Sequence, residues 1–335
     1  MNTENKKAYL LLADGTVLTG QSFGATGTKI GEVVFATSMT GYEETLTDPS
    51  YFGQIVIQTF PLVGNYGVNR EDKESEKVWV NGYIVREACD FPSNFRSEQD
   101  IGSFLKQNGI IGICGLDTRH LTRKIREVGV MNGAVTTGEI DSVKDELLMK
   151  IRSYKIERAV ESVTCLERKL HESKEHRCQV AFVDYGAKAN IVRNLVKRGC
   201  DVTVFPAEST AEEILQSHPD GIMLSNGPGD PADNIGMIKE LSKLTKSGVP
   251  VFGICLGHQL LALANGAKTE KLKYGHRGAN QPVKDLKTGR TYISSQNHGY
   301  AVVGESLPAE VGEVSFINAN DNTCEGVEYQ SFPGF

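Results

Sequence analysis

One stretch of this sequence has the residue types and spacing for covalent chemistry. Val249-Pro250-Val251-Phe252-Gly253-Ile254-Cys255-Leu256-Gly257-His258-Gln259-Leu260 runs an apolar strand-like segment into a helical one through Gly253-x-Cys255-x-Gly257. Strand, tight turn and helix in that order are the context of a nucleophile elbow, here with Cys in the place of Ser. Side chains at the two flanking glycines would collide with the neighbouring strand or helix. Such a turn projects Sγ from the end of a sheet. It sets the thiol at a helix N-terminus, which favours the thiolate over the ordinary thiol of pKa ~8.5. It also leaves the Leu256 N–H free to donate to an oxyanion. A structural cysteine packed at a strand end would show the same two glycines, so this pattern alone leaves both readings open.

A second motif bears on the choice. Ser225-Asn226-Gly227-Pro228-Gly229-Asp230-Pro231 directly follows the apolar run Gly221–Leu224. With Ala232 it superficially offers the Gly-x-Gly-x-x-Ala of a dinucleotide site. That reading fails on three grounds. The motif follows the third strand of its unit, Pro228 and Pro231 remove backbone donors, and Asp230 would face a pyrophosphate. It reads instead as a rigid turn that aims the Gly229 N–H across the site as a second oxyanion donor, or as a plain Pro-Gly turn.

The elements that must position these residues change character along the chain. The first 135 residues hold short β-like runs at 9–12, 32–35, 54–58, 78–85, 110–114 and 134–137, with Gly, Asp and Pro between them. Two helical segments interrupt: one with Ser97 as its cap before Ile101, Phe104 and Leu105, and one opening at Asp117 and ending in basic residues. Residues 141–178 read as polar and helical, closing in a charged stretch. From Gln179, strands at 180–183, 202–205, 221–224 and 249–254 alternate with helices at 187–198, 210–217, 235–246 and 256–264. That alternation implies a parallel sheet covered on both faces. β-like runs return at 292–295, 300–303 and 313–317. The expected organisation is α/β: a β-rich mixed α/β domain over 1–150, a linker over 151–178, and a domain with a mostly parallel sheet over 179–335.

Composition narrows the function classes. The 335 residues carry 36 Lys and Arg against 42 Asp and Glu, a net charge of −6. No dominant basic field favours nucleic acid. No apolar run approaches the ~20 residues of a membrane helix. The N-terminus is polar and the run at 9–12 is too short for a signal-peptide core, so a cytoplasmic location is expected. Seven cysteines, an odd number with irregular spacing and no Cys-x-x-Cys, argue against a disulfide framework or a structural zinc site, so no metal is expected on the chain. No Gly-x-x-x-x-Gly-Lys-Ser/Thr loop is present for ATP phosphates.

The elbow and the Asn226–Pro231 loop together resemble the class I glutamine amidotransferase family, and Ser294-Ser-Gln-Asn-His-Gly-Tyr300 matches that domain's substrate loop in one branch. The N-terminal half selects the branch. Thr37-Ser-Met-Thr-Gly-Tyr-Glu-Glu-Thr-Leu-Thr-Asp-Pro-Ser-Tyr51, Gly64-Asn65, Gly115-Leu-Asp-Thr-Arg119 with Leu121-Thr-Arg123, and Asp184-Tyr-Gly-Ala-Lys-Ala-Asn-Ile191 resemble small subunits of carbamoyl-phosphate synthetases. The resemblance covers nearly the whole chain.

It implies glutamine hydrolysis through a Cys255 thioester, with the oxyanion held by the N–H groups of Gly229 and Leu256. The matching glutamine-binding positions are Ser38, Gly227, Gly229, Leu256, Gln259, Asn297, Gly299 and Tyr300. Ser38 lies in the other half, so the pocket is expected near a domain interface. The implied partner is a large synthetase subunit that receives the ammonia and makes carbamoyl phosphate for arginine or pyrimidine synthesis. ATP and divalent metal are expected there and no cofactor on this chain. The basic segment Arg119–Arg126 is either its docking surface or an ordinary solvated helix face.

One departure stands out. The family completes its triad with a His-Pro-Glu motif on a late strand, and none occurs in these 335 residues. His258, His276 and His298 read as structural. Truncation is the favoured explanation, with the second domain C-terminally incomplete, and weak isolated activity is expected. The alternatives are a non-catalytic binding subunit, or the glutaminase subunit of a different class I amidotransferase, against which the Ser38-Met-Thr-Gly-Tyr42 segment speaks.

Overall fold

The structure, a computed structural model, describes residues 6–335. Most of the polar N-terminus read above lies outside the described residues. The chain divides into two compact units, one running to Glu157 and taking in Arg277–Ala279, the other comprising Arg158–His276 and Asn280–Phe335.

The first unit is built from β1 (Lys7–Leu12), β2 (Val17–Ser22), β3 (Thr28–Ala36), α1 (Tyr42–Thr47), β4 (Gln54–Gln58), β5 (Leu62–Val63), β6 (Gly82–Ile84), β7 (Glu87–Ala88), α2 (Ile101–Gln107), β8 (Ile111–Cys114), α3 (Thr118–Val128), β9 (Met131–Thr136) and α4 (Lys144–Ser153). Seven strands close into a barrel in the order β1-β2-β8-β6-β4-β3-β9, and β5 pairs with β7. Val34, Val56 and Tyr83 on the barrel pack with Tyr42 and Leu46 of α1 and with Ile101, Phe104 and Leu105 of α2. Leu147 and Ile151 of α4 cover Leu11 and Ala134. Burial of one such side chain contributes roughly 1.5–3 kcal/mol.

Asp117 caps α3 by accepting from the His120 N–H at 2.9 Å, as its position suggests. The cap of α2 is Asp100, not Ser97: its carboxylate accepts from the Ser103 N–H at 2.8 Å. The expected strand over 78–85 forms only as β6. Trp79 instead donates its N–H to the Leu46 carbonyl, so this apolar run is buried by a loop contact.

The second unit continues with α5 (Ala159–Val163), β10 (Lys169–His171), β11 (Cys178–Asp184), α6 (Ala189–Lys197), β12 (Cys200–Pro206), α7 (Ala211–Leu215), β13 (Gly221–Leu224), α8 (Ile235–Leu244), β14 (Val251–Gly253) and α9 (Leu256–Ala264). Its sheet has the order β10-β12-β11-β13-β14, parallel except for β10. Strand alternation sends Ala181 and Val183 to one face, against Leu256, Leu260 and Leu241, and Phe182 to the other, beneath Ile191 and Leu195 of α6. Both faces are covered, as the alternating pattern requires.

The 151–178 segment is not a linker. It holds the end of α4, then α5, then β10, which pairs antiparallel with β12 on the edge of the sheet. Its charged residues suit a solvated edge strand. The division between the units accordingly falls at 157/158.

After α9 come β15 (Lys268–Asp285), β16 (Thr291–Val303), β17 (Gly312–Asn318) and β18 (Cys324–Tyr329), which close on themselves in the order β15-β16-β18-β17. The two late runs 292–295 and 300–303 are one strand. Pro333–Phe335 pair in parallel with β14 through Val251 N–H to Pro333 O at 2.9 Å and Phe335 N–H to Val251 O at 3.1 Å, and so head for the sheet end that carries Cys255.

The turn after β11 depends on Asp184. Its buried carboxylate accepts from the N–H groups of Gly186 at 2.9 Å and Ala187 at 2.7 Å through one oxygen, and from Cys165 at 2.8 Å through the other. Asp184→Ala strands three donors and is expected to destabilise the second unit by about 3 kcal/mol or more. Asp184→Asn, which keeps one acceptor oxygen, is expected to cost less. Urea denaturation of the two variants measures the difference.

Candidate active site

Cys255 occupies the junction of β14 and α9 with φ +52° and ψ −105°. Few L-residues adopt such a backbone, and holding one there costs of order 1–3 kcal/mol. The neighbours supply the restraint. Ile254 N–H donates to Leu224 O at 2.9 Å, and Gly257 N–H donates to Ser225 O at 3.0 Å. The flanking glycines have the predicted steric role. A Cβ on Gly253 would lie 2.6 Å from His258 N, and one on Gly257 would lie 2.6 Å from both Leu224 Cβ and Leu224 O. The thiol is half-buried, with Sγ 3.6 Å from the Asn297 carbonyl oxygen.

The loop 225–229 is tied to the turn after β11. Ser225 Oγ accepts from Tyr185 N–H at 2.8 Å, Asn226 Oδ1 accepts from Lys188 N–H at 3.1 Å, and Asn226 Nδ2 donates to Gly186 O at 2.9 Å. Gly227 sits where a Cβ would be 2.2 Å from Tyr185 O and 2.7 Å from Leu256 Cδ2. Gly229 has φ +91°, a conformation that suits glycine. The proline-glycine loop and the first residue of α9 are therefore neighbours.

Gln259, one turn into α9, donates from Nε2 to Tyr300 O at 2.6 Å. Thus Cys255 and Gln259 meet Asn297 and Tyr300 of β16, with Gly299 in the same stretch, while Gly227 stands beside Leu256 and Gly229 lies further along the same loop. Ser38 belongs to the first unit, where its carbonyl accepts from Gln58 Nε2 at 2.6 Å.

The sequence did not reveal a charged cluster inside the four-stranded barrel. His276 of β15 and His298 of β16 both face Glu325 of β18. The separations are 3.0 Å from His276 Nδ1 to Oε1 and 3.4 Å from His298 Nε2 to Oε2. The two rings stand edge to face with centroids 4.9 Å apart. His276 Nε2 donates to Asp321 Oδ2 at 2.7 Å, and His298 Nδ1 donates to Tyr300 O at 2.8 Å. Burial alone would lower His276 and raise Glu325. The bonds between them outweigh it, holding His276 above its ordinary value and Glu325 down at about 2. No local spacing links 276, 298 and 325, so only the strand pairing brings them together.

His258 lies on α9, three residues past Cys255. Its Nε2 is shielded from solvent and has no hydrogen-bond partner. Burial pushes its pKa down to about 4, so the ring is neutral at pH 7. The unfolded chain takes up this proton near pH 6.5 and the folded chain only near 4. Stability contributed by the neutral ring is therefore present above pH 6.5 and lost as pH falls towards 4. His258→Leu removes this dependence. Between pH 7 and pH 5 the parent chain is expected to lose roughly 2 kcal/mol more than the variant, measured by chemical denaturation at the two values.

Comparison with known proteins follows the two-unit division. Residues 10–135 match the family model described as carbamoyl-phosphate synthase small chain, CPSase domain, and residues 181–335 match glutamine amidotransferase class-I. The chain is 51% identical over 329 residues to a carbamoyl phosphate synthase small chain of Bacillus cereus, covering 98% of this chain and 89% of that one. It is 51% identical over 330 residues to the one of Listeria innocua, covering 98% and 90%. A solved glutamine amidotransferase from Thermotoga maritima overlays with a TM-score of 0.38 at 17% identity, covering 48% of this chain and 75% of that chain. With both halves matched in order and half of all residues shared over nearly its full length, the chain belongs to the carbamoyl phosphate synthase small chain family, with a class I glutamine amidotransferase domain as its second half.

Proposed function

We propose that this chain hydrolyses L-glutamine and passes the ammonia to a large synthetase subunit, which makes carbamoyl phosphate from bicarbonate and ATP. The observation that carries the reading is the strained backbone of Cys255 at a strand end and helix start, with Gly227 packed against Leu256. The Cys255 thiolate attacks the side-chain amide carbon. The N–H groups of Gly229 and Leu256 stabilise the resulting oxyanion, each by ~3 kcal/mol on the scale of other oxyanion donors. The C–N bond breaks, ammonia leaves with an added proton, and water cleaves the thioester to glutamate. Gly227, Gln259, Asn297, Gly299 and Tyr300 hold the substrate's two charged groups and its amide.

Burial disfavours the competing thiolates. It pushes Cys165 up to about 12 and Cys200 and Cys324 to about 11, and it raises Cys114 as well. An electrophilic glutamine analogue is therefore expected to label Cys255 selectively, and excess glutamine is expected to protect it, as read by peptide mass spectrometry. Uniform or absent labelling would instead favour a non-catalytic binding subunit.

The first unit carries a cavity of about 570 Å³ lined by Arg86, Arg119, Arg123 and Arg126 together with threonines. Three of these arginines rise from α3, and we assign this face to acidic groups of the large subunit. Charge reversal by Arg119→Glu with Arg123→Glu is expected to weaken assembly with that subunit in a salt-dependent way while leaving Cys255 labelling intact. Sedimentation velocity with the large subunit present checks the first part.

A further inference from the structure

Each strand of the four-stranded barrel sends one polar side chain to the same buried point: His276 from β15, His298 from β16, Asn318 from β17 and Glu325 from β18. The three titratable side chains are 7%, 10% and 9% exposed. Their outer bonds fix which nitrogen carries a proton. A backbone carbonyl can only accept, so His298 Nδ1 is protonated where it meets Tyr300 O. Asp321 likewise takes the proton of His276 Nε2. The nitrogens left over, His276 Nδ1 and His298 Nε2, both point at the carboxylate of Glu325.

His276 Nδ1 lies within hydrogen-bond distance of Glu325 Oε1 at 3.0 Å, so one proton bridges that pair. His298 Nε2 is shielded, stands 3.4 Å from Glu325 Oε2 and makes no hydrogen bond, which leaves a buried nitrogen facing a carboxylate. One divalent cation would serve both nitrogens and the carboxylate at once. The donor atoms of His276, His298 and Glu325 all lie within 4.8 Å of one another. Tetrahedral zinc with bonds of 2.0–2.1 Å separates its donors by about 3.3 Å. The separations of 3.0 and 3.4 Å run to different oxygens of Glu325, so one of these oxygens must turn to serve both rings when the ion binds. Metal-bound histidines also pass their other N–H to a carboxylate or a backbone carbonyl, which is what Asp321 and Tyr300 receive.

We propose that His276, His298 and Glu325 form a binding site for one divalent cation of the zinc class. Loading displaces the proton between His276 Nδ1 and Glu325, leaves the fourth position to water, and braces β16 next to Asn297. The site stands independently of the glutaminase reading, because none of its ligands is Cys255 or an oxyanion donor.

The test is metal binding by the full 335-residue chain. After incubation with zinc and desalting, elemental analysis is expected to find one equivalent per chain. Cobalt substitution is expected to give a ligand-field spectrum without a thiolate charge-transfer band. Asp321→Asn, which touches only the outer bond, is expected to weaken zinc affinity by about 10–100-fold. Glu325→Gln is expected to weaken it further, and Cys178→Ser with Cys200→Ser to leave it unchanged. Should Glu325→Gln fail to fold, zinc protection of His276 and His298 from diethyl pyrocarbonate in the parent chain decides the point. Zinc at background level in the parent chain, a thiolate band in the cobalt form, or affinity unchanged in both carboxylate variants would each overturn the proposal.

Discussion

The backbone of Cys255 is the constraint on which the rest of the site depends. A residue at φ +52° and ψ −105° persists only where its surroundings over-determine it. Ser225, fully buried, supplies most of that determination. Its N–H donates to Val183 O at 3.1 Å, its Oγ accepts from Tyr185 N–H, and its carbonyl accepts from Gly257 N–H. One residue thus ties the ends of β11 and β13 to the first turn of α9. Strands β11, β13 and β14 are parallel, so their carboxyl ends share an edge, and this is the edge where open α/β sheets bind ligands. The nucleophile, the proline-glycine loop and the turn after β11 are positioned by the same lateral bonds.

The two parts of the second unit use burial in opposite ways. The parallel sheet buries apolar side chains on both faces and keeps its polar residues at the strand ends. The small barrel after α9 buries histidines, an asparagine and a glutamate in its interior. Each such group carries a desolvation cost that only complementary partners offset. Hence the outer bonds to Asp321 and the Tyr300 carbonyl matter as much as the inner contacts, since they fix both rings towards Glu325. The bonds among His276, Asn318, Asp321 and Glu325 add to the strand pairing that brings these residues together.

The parallel half of the fold was legible because its signals are local. Short apolar runs, helical spacing and glycine pairs all fall within a dozen residues, and the elbow is itself one of them. Where the signal is tertiary, the sequence was silent or misleading. Lys169-Leu170-His171 is too polar to read as a strand, yet it forms the edge of the sheet. Residues 268–285 are largely polar and form the longest described strand. The run 78–85 has strand composition, but only Gly82–Ile84 pairs as a strand, and Val80 is buried from the loop before it. His276 and Glu325 are 49 residues apart and meet only because β15 and β18 belong to one closed barrel. The elbow and its loop were therefore visible in advance, while the charged cluster beside them was not.

These two features are mechanically joined. The Tyr300 carbonyl accepts from Gln259 Nε2 at 2.6 Å and from His298 Nδ1 at 2.8 Å. Three residues earlier on β16, the Asn297 carbonyl lies 3.6 Å from Cys255 Sγ. One short stretch of strand therefore touches the nucleophile, the helix behind it and the histidine that faces Glu325. Because His298 is held between Tyr300 and Glu325, a rotation of its ring would pull on the carbonyl that Gln259 also uses. Interiors packed at crystal-like density transmit such shifts instead of absorbing them. The stretch Asn297–Tyr300 of β16 is thus shared backbone, bounded by the Cys255 thiol at one end and by the buried cluster at the other.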